Sequence, residues 1–186
     1  QMCIRDRIDP HAWNTLTNGV IYLENITAAI AAADAGNADA YKANADSYIT
    51  KLHALHAGAA DRFGSLPEDG RTVVTAHDAF GYLADSYGLN FLAPVGIDTQ
   101  AEPSASELAA LIAHLKETGA GALFVENITS PALIEQISKE TGLKIGGRLF
   151  SDALSERGGP ATSYVAMFEH NLGAVSYTHL TLPTMS

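Results

Sequence analysis

Cysteine is almost absent from this chain of 186 residues: Cys3 stands alone. No internal disulfide can form, and no cysteine cage can hold a metal. Basic residues are scarce, 11 Lys and Arg against 21 Asp and Glu, for a formal net charge of −10. No Lys/Arg cluster exists, which argues against a nucleic-acid surface. No apolar run approaches the roughly 18 residues of a membrane-spanning helix. No initiator Met and no signal peptide open the chain, and a secreted protein without its front would look the same. A G-x-S-x-G elbow for a nucleophilic serine is missing. Thr118-Gly-Ala-Gly-Ala122 precedes a strand instead of following one, so it is no dinucleotide loop.

What remains is a globular composition, 47% hydrophobic, with enough apolar material for one good core. Both ends stand apart: residues 1–7 (QMCIRDR) and 176–186 (SYTHLTLPTMS) show neither periodicity nor capping logic. They read as adaptor-derived sequence and are set aside, with Cys3, His179 and Met185. Between them, Asp9-Pro10 is a turn signal, and a helix after it is expected to bury Leu16, Val20, Leu23, Ile26 or Thr27, and Ile30. Gly36-Asn37 ends that helix.

A longer helix, about Asp39–Phe63, carries Tyr41, Ala45, Tyr48, Leu52, Leu55, Ala59 and Phe63 in one stripe. About 25 residues reach roughly 37 Å, more than a small domain needs, so the helix reads as a strut across or between lobes. His53 and His56 lie on it, off the stripe. Their spacing suits a shared metal, but no carboxylate sits one turn away, and a solvated face is the simpler reading.

Beyond the turn at Leu66–Gly70 the pattern becomes strand, helix, strand, helix. The expected strands are Thr72–Ala76, Asn90–Val95, Ala122–Val125 and Leu143–Gly147. Asp78 is expected to cap a helix over Phe80–Tyr87 that Gly88 closes. Ser104 and Glu107 form a capping box. Ser130-Pro131 starts the next helix, and Gly142 stops it. His114 is expected to be exposed. Alternation of strands and helices argues a parallel sheet covered on both faces.

Chemistry in such sheets gathers at the carboxyl ends of strands. His77 and Asp152 follow strands there, and so does Glu126. Neutral imidazoles with a carboxylate are a ligand set for zinc, manganese or iron. A helix N-terminus beside His77 would keep its ring neutral. Each residue also has a plainer reading: His77 as a turn residue, His11 as a loop residue before a helix, Glu126 as a carboxylate beside the next helix start. Gly158-Gly159-Pro160 is a turn before the last helix, or an anion loop.

DPHAW (9–13), VTAHDAFGYLADSYGL (74–89), LFVEN with SP (123–131) and LFSDALSERGGPATSYVAMFEHN (149–171) together resemble the metal-binding receptors of ABC importers for zinc, manganese or iron. The blocks run in order over residues 8–175, with 66 residues from His11 to His77 and 75 from His77 to Asp152. The resemblance implies an α/β fold with two lobes joined by a rigid helix. Residues 8–36 are then the end of an N-terminal lobe, 37–65 the linker helix, and 66–175 a C-terminal lobe with a four-stranded parallel sheet. It implies a metal site of His11, His77 and Asp152, with a further histidine upstream of this chain. The ligand is Zn²⁺, with Mn²⁺ or Fe²⁺ as alternatives, and the site is expected to be weak without that histidine. The implied protein is no enzyme. It is a monomer in the periplasm or another extracytoplasmic space, and it hands metal to a membrane permease. Two other classes compete. One is a metal-dependent hydrolase with Glu126 as general base. The other is a rigid-helix receptor for a chelated metal or cobalamin, which would want an open aromatic or basic cleft.

Overall fold

A computed structural model describes residues 8–97, 103–118 and 122–181. After a short 3-10 turn at Ala12–Asn14, helix α1 spans Leu16–Ala33 and α2 spans Ala38–Gly64. Then follow β1 (Thr72–Val74), α3 (Gly81–Tyr87), β2 (Asn90–Leu92), α4 (Ala105–Thr118), β3 (Ala122–Glu126), α5 (Ala132–Thr141), β4 (Ile145–Leu149) and α6 (Tyr164–Thr181). The sheet is parallel throughout, in the order β2-β1-β3-β4. The expected four-stranded α/β sheet is present. Its order reverses at β1: β2 lies on one side, β3 and β4 on the other. A crevice therefore opens at the carboxyl ends of β1 and β3, where ligands of such sheets bind.

Alternation along the strands covers both faces. Val73 and Phe124 face a core with Leu52, Ala59 and Phe63 of α2, Leu83 of α3, and Phe168 and Leu172 of α6. Val74 and Leu123 face a second core with Ile112 and Leu115 of α4 and Ile134 and Ile137 of α5. Burial of this apolar surface is the main force holding the layers together. The α2 stripe is as expected: Ala45, Leu52, Ala59 and Phe63 are buried. At 27 residues α2 is about 40 Å long, and it packs along α1, α3 and α6.

Several local expectations shift. The regular ladder of β1 stops at Val74, and Thr75 Oγ1 donates to the His77 carbonyl. Looser pairing runs on to the His77–Val95 bridge. β4 lies two residues later than expected. Gly146 is an extra residue there, since Ile145 pairs with Leu123 but Gly147 with Phe124. That bulge lets the strand continue to the buried Leu149. Asp78 does not cap α3: the cap position is Phe80, without a side-chain bond. Gly88 does close α3, in the left-handed region at φ 64°. The Ser104–Glu107 capping box forms in both directions, at 2.9 and 3.2 Å. Pro131 stands at the cap position of α5 while Ser130 Oγ accepts from the Ala132 N–H at 3.3 Å, and Gly142 ends that helix at φ 78°.

α1 differs most. Its inner row is Leu16, Gly19, Val20, Leu23 and Thr27, whereas Ile26 and Ile30 are 56% and 42% exposed. α6 runs on to Thr181, through the first residues of the C-terminal stretch set aside above, with Ser176 buried. Residues 1–7 and 182–186 lie outside the described residues, as do 98–102 and 119–121.

Candidate metal centre

Three loops converge above the crevice. The first is the arm before α1. Asp9 Oδ1 accepts from the His11 backbone N–H at 2.9 Å and pairs with His11 Nδ1 at 2.7 Å. This local turn fixes the imidazole with Nε2 facing away from Asp9. The arm is seated on the β1–α3 segment: Asn14 Nδ2 donates to the Ala79 carbonyl at 2.9 Å, and Tyr82 OH to the Asp9 carbonyl at 3.3 Å. His11 is 4% exposed as a result.

The second loop follows β1. His77 has no solvent exposure. Its backbone N–H donates to Glu126 Oε1 at 2.9 Å, and its Nδ1 lies 2.7 Å from Glu126 Oε2. The Nδ1 contact is short but off the ideal hydrogen-bond line. It still places a proton on Nδ1 beside a carboxylate and leaves the Nε2 lone pair outward. Burial alone would lower the His77 pKa, but the bond and charge of Glu126, with the charge of Asp152, raise it overall. The expected helix N-terminus does not act on this ring. α3 begins only at Gly81, and the carboxylates dominate.

The third loop follows β4 and carries Asp152, whose side chain is 28% exposed. The Asn171 amide grips both backbone groups of Phe150, at 3.0 and 2.8 Å, and Asn127 Nδ2 donates to the Ala153 carbonyl at 3.1 Å. Each Asp152 oxygen then faces one ring. Oδ1 is 3.6 Å from His11 Nε2, and Oδ2 is 3.4 Å from His77 Nε2.

Three nominated donors thus lie within 4.8 Å of one another. Their rings meet edge to face, with centroids 5.4 Å apart. In a tetrahedral site with bonds of about 2.1 Å, neighbouring donors lie about 3.4 Å apart. The two approaches to Asp152, one to each of its oxygens, are close to that spacing, and one ligand atom from each residue lies within 4.8 Å of the others. His77 Nε2 is buried without a hydrogen-bond partner, a costly state that a bound cation would relieve. Carboxylates behind both Nδ1 atoms are the arrangement that orients imidazoles toward a metal.

Sequence reading missed two members of this constellation. Glu126 was weighed as a carboxylate beside a helix start, but it is 2% exposed and holds His77 from strand β3. Asp9 was read only as a turn signal, and the turn is what aims His11. Among the described residues, His53, His56, His114 and His170 stay outside. His53 and His114 are exposed, and His56 Nδ1 meets Tyr87 OH at 3.0 Å.

Fold and donor set define the class: a parallel α/β lobe presenting a pre-shaped, carboxylate-backed set of two imidazoles and an aspartate. The chain belongs to the family of the periplasmic component A of zinc-uptake complexes, whose model matches residues 4–176. Among curated relatives, the iron ABC transporter substrate-binding lipoprotein MtsA of Streptococcus pyogenes serotype M1 is 34% identical over 168 residues. The manganese ABC transporter substrate-binding lipoprotein scaA of Streptococcus gordonii is 32% identical over 168 residues. Each alignment covers 90% of this chain and 54% of the relative, so the chain spans about half the length of the curated relatives it matches. Among solved structures, the periplasmic zinc binding protein TroA from Treponema pallidum superposes with TM-score 0.89 at 27% identity, covering 95% of this chain and 66% of that one. The manganese-bound periplasmic metal binding protein from Candidatus Liberibacter asiaticus gives TM-score 0.83 at 30% identity, with the same coverage.

Proposed function

We propose that this chain is the larger part of an extracytoplasmic receptor that captures a divalent transition metal for an ABC importer. The observation that carries the reading is the convergence of His11, His77 and Asp152, with each imidazole backed by its own carboxylate. The donor set suits Zn²⁺ best, and Mn²⁺ or Fe²⁺ next. The named metals of its relatives span all three. The metal is cargo, bound without chemical change and passed to a membrane permease. The protein acts as a monomer in the periplasm or at the outer face of the cell membrane.

Three donors leave a fourth position open, and in this reading a histidine from an upstream lobe fills it. Residues 8–36 then belong to that lobe, α2 is the linker, and residues 66–175 form the second lobe. The exposed Tyr22, Ile26 and Ile30 on α1 support this division. Spaced four apart, they line one helix face, and the upstream lobe would bury it.

The competing readings fit less well. A hydrolase would need Glu126 free to take a proton from water, yet both its oxygens engage His77 in a buried site. A receptor for a chelated metal or cobalamin would want a basic or aromatic cleft. Among the described residues, the cavity of about 640 Å³ beside His77 is lined by apolar Val95, Leu108, Ile128 and Leu133 and by polar Thr129 and Gln136, with no basic side chain and His77 as the one aromatic ring.

Titration calorimetry with Zn²⁺, Mn²⁺ and Fe²⁺ tests the proposal. One site is expected, weakened at least about 100-fold by His77→Ala or Asp152→Ala. Unchanged affinity in both variants would overturn it.

A further inference from the structure

Trp13, the single tryptophan of the chain, stands two residues from one candidate donor and bonds the backbone next to another. Its indole Nε1–H donates to the Ser151 carbonyl at 2.9 Å, across 138 residues of sequence. Ser151 is fully buried and immediately precedes Asp152. The indole ring also meets the His11 imidazole edge to face, with centroids 5.5 Å apart. One side chain therefore touches the His11 ring and ties down the Asp152 loop.

The base from which Trp13 reaches is itself fixed. Tyr164 OH donates to the Trp13 carbonyl at 2.7 Å and lies 3.1 Å from the Thr15 carbonyl. A Cβ at Gly19 would sit 2.5 Å from that hydroxyl, so the approach of α1 to Tyr164 requires glycine there. The other grips on the Asp152 loop, from Asn127 and Asn171, come from the end of β3 and from α6. Trp13 alone among these three comes from the arm that carries His11.

We propose that Trp13 is a positioning residue whose indole N–H latches the Asp152 loop to the His11 arm and so sets how long a captured metal stays. The proposal rests on the metal-site reading above. Of the three donors, Asp152 is the exposed one, at 28% against 4% for His11 and 0% for His77. A departing cation sheds its most mobile, most solvated ligand first. The bond that holds Asp152 against two fixed imidazoles then governs dissociation more than association. Supporting bonds of this kind hold first ligands within a fraction of an ångström of productive geometry.

The test uses the whole chain loaded with Zn²⁺ and mixed with excess chelator in a stopped-flow instrument. Trp13→Phe keeps the ring and loses the N–H. It is expected to speed Zn²⁺ dissociation about tenfold, with association changed less than about twofold. A purely structural role would lower the folded fraction without moving the dissociation rate of bound metal. Tyr164→Phe, which frees the base of the latch, should act in the same direction by about threefold. Dissociation at the wild-type rate in both variants would overturn the latch. A measurement on the unmutated chain stands beside it. Linkage is reciprocal, so metal must strengthen the bond that strengthens metal binding. The single indole N–H resonance should exchange with solvent more slowly when Zn²⁺ is added, and exchange unchanged at saturation would also overturn the proposal. His77→Ala separates the two layers of inference: Zn²⁺ binding that survives that change removes the metal-site reading itself.

Discussion

The two imidazoles of the site are built alike and supported differently. Each has a carboxylate on Nδ1 and turns Nε2 toward Asp152. For His11 the carboxylate is Asp9, two residues away in the same turn and 24% exposed. For His77 it is Glu126, 49 residues away on another strand and fully buried. One support is made by the local chain and shares its work with water. The other exists only once β1 and β3 have paired, and water cannot replace it. The same chemical device thus has one half that tolerates damage and one half that does not.

Glu126→Leu should break the comparison most sharply. It strands the His77 backbone N–H and Nδ1 in a dry interior, and each buried donor left unmet costs about 1–3 kcal/mol. A loss of several kcal/mol in urea unfolding is expected, with metal affinity down about 100-fold in calorimetry. Asp9→Asn is the matching change on the other side. Its amide oxygen still accepts from the His11 N–H, and water reaches the site. A loss of about 1 kcal/mol in stability and about tenfold in affinity is expected. Equal effects of the two changes would show that burial does not separate the two supports.

Proton binding sharpens the same contrast at His77. Its folded pKa is raised, against burial, by Glu126 and then Asp152. A raised value means that the folded metal-free protein holds this proton more tightly than the unfolded chain, whose histidines titrate near 6.5. The stabilisation is complete below about 6.5 and is lost as pH rises through the folded value. Glu126→Gln removes the largest raising cause, so the His77 pKa should fall relative to the wild type. Histidine NMR titrations of the metal-free wild type and of Glu126→Gln read this directly, and a His77 titration that does not move between them would contradict the account.

Much of this was legible in the residues. Three helix ends announced themselves through local chemistry: the Ser104–Glu107 box and the glycine closures at Gly88 and Gly142. Periodicity revealed the α2 stripe because a helix buries every third or fourth residue whatever it packs against. His11, His77 and Asp152 were nominated from strand ends and ordered blocks, and they do lie together. Glu126 escaped because its partner is set by register between two strands, which a linear reading does not contain. Ile26 and Ile30 were assigned to the α1 interior because periodicity finds an apolar face without saying what covers it. β4 was misplaced because two consecutive glycines look like a strand end but form a bulge inside the strand.

Asp78 is the fourth carboxylate near the pair, and it supports no imidazole. It sits beside His77 in sequence and ahead of the Phe80 cap position of α3. Its pKa is raised, first by burial and then by the nearby charge of Asp9. If it capped α3, Asp78→Ala would cost about 1 kcal/mol, the ordinary worth of such a cap. Ser104→Ala, which removes a cap that does form, should show that cost. Asp78→Ala is instead expected to leave the urea midpoint within about 0.5 kcal/mol of wild type, because the change removes a like charge facing Asp9 and no bond to α3. A cost as large as that of Ser104→Ala would assign Asp78 a structural duty after all. A carboxylate's importance here follows from the ring it holds, and proximity to a histidine in sequence is no guide to it.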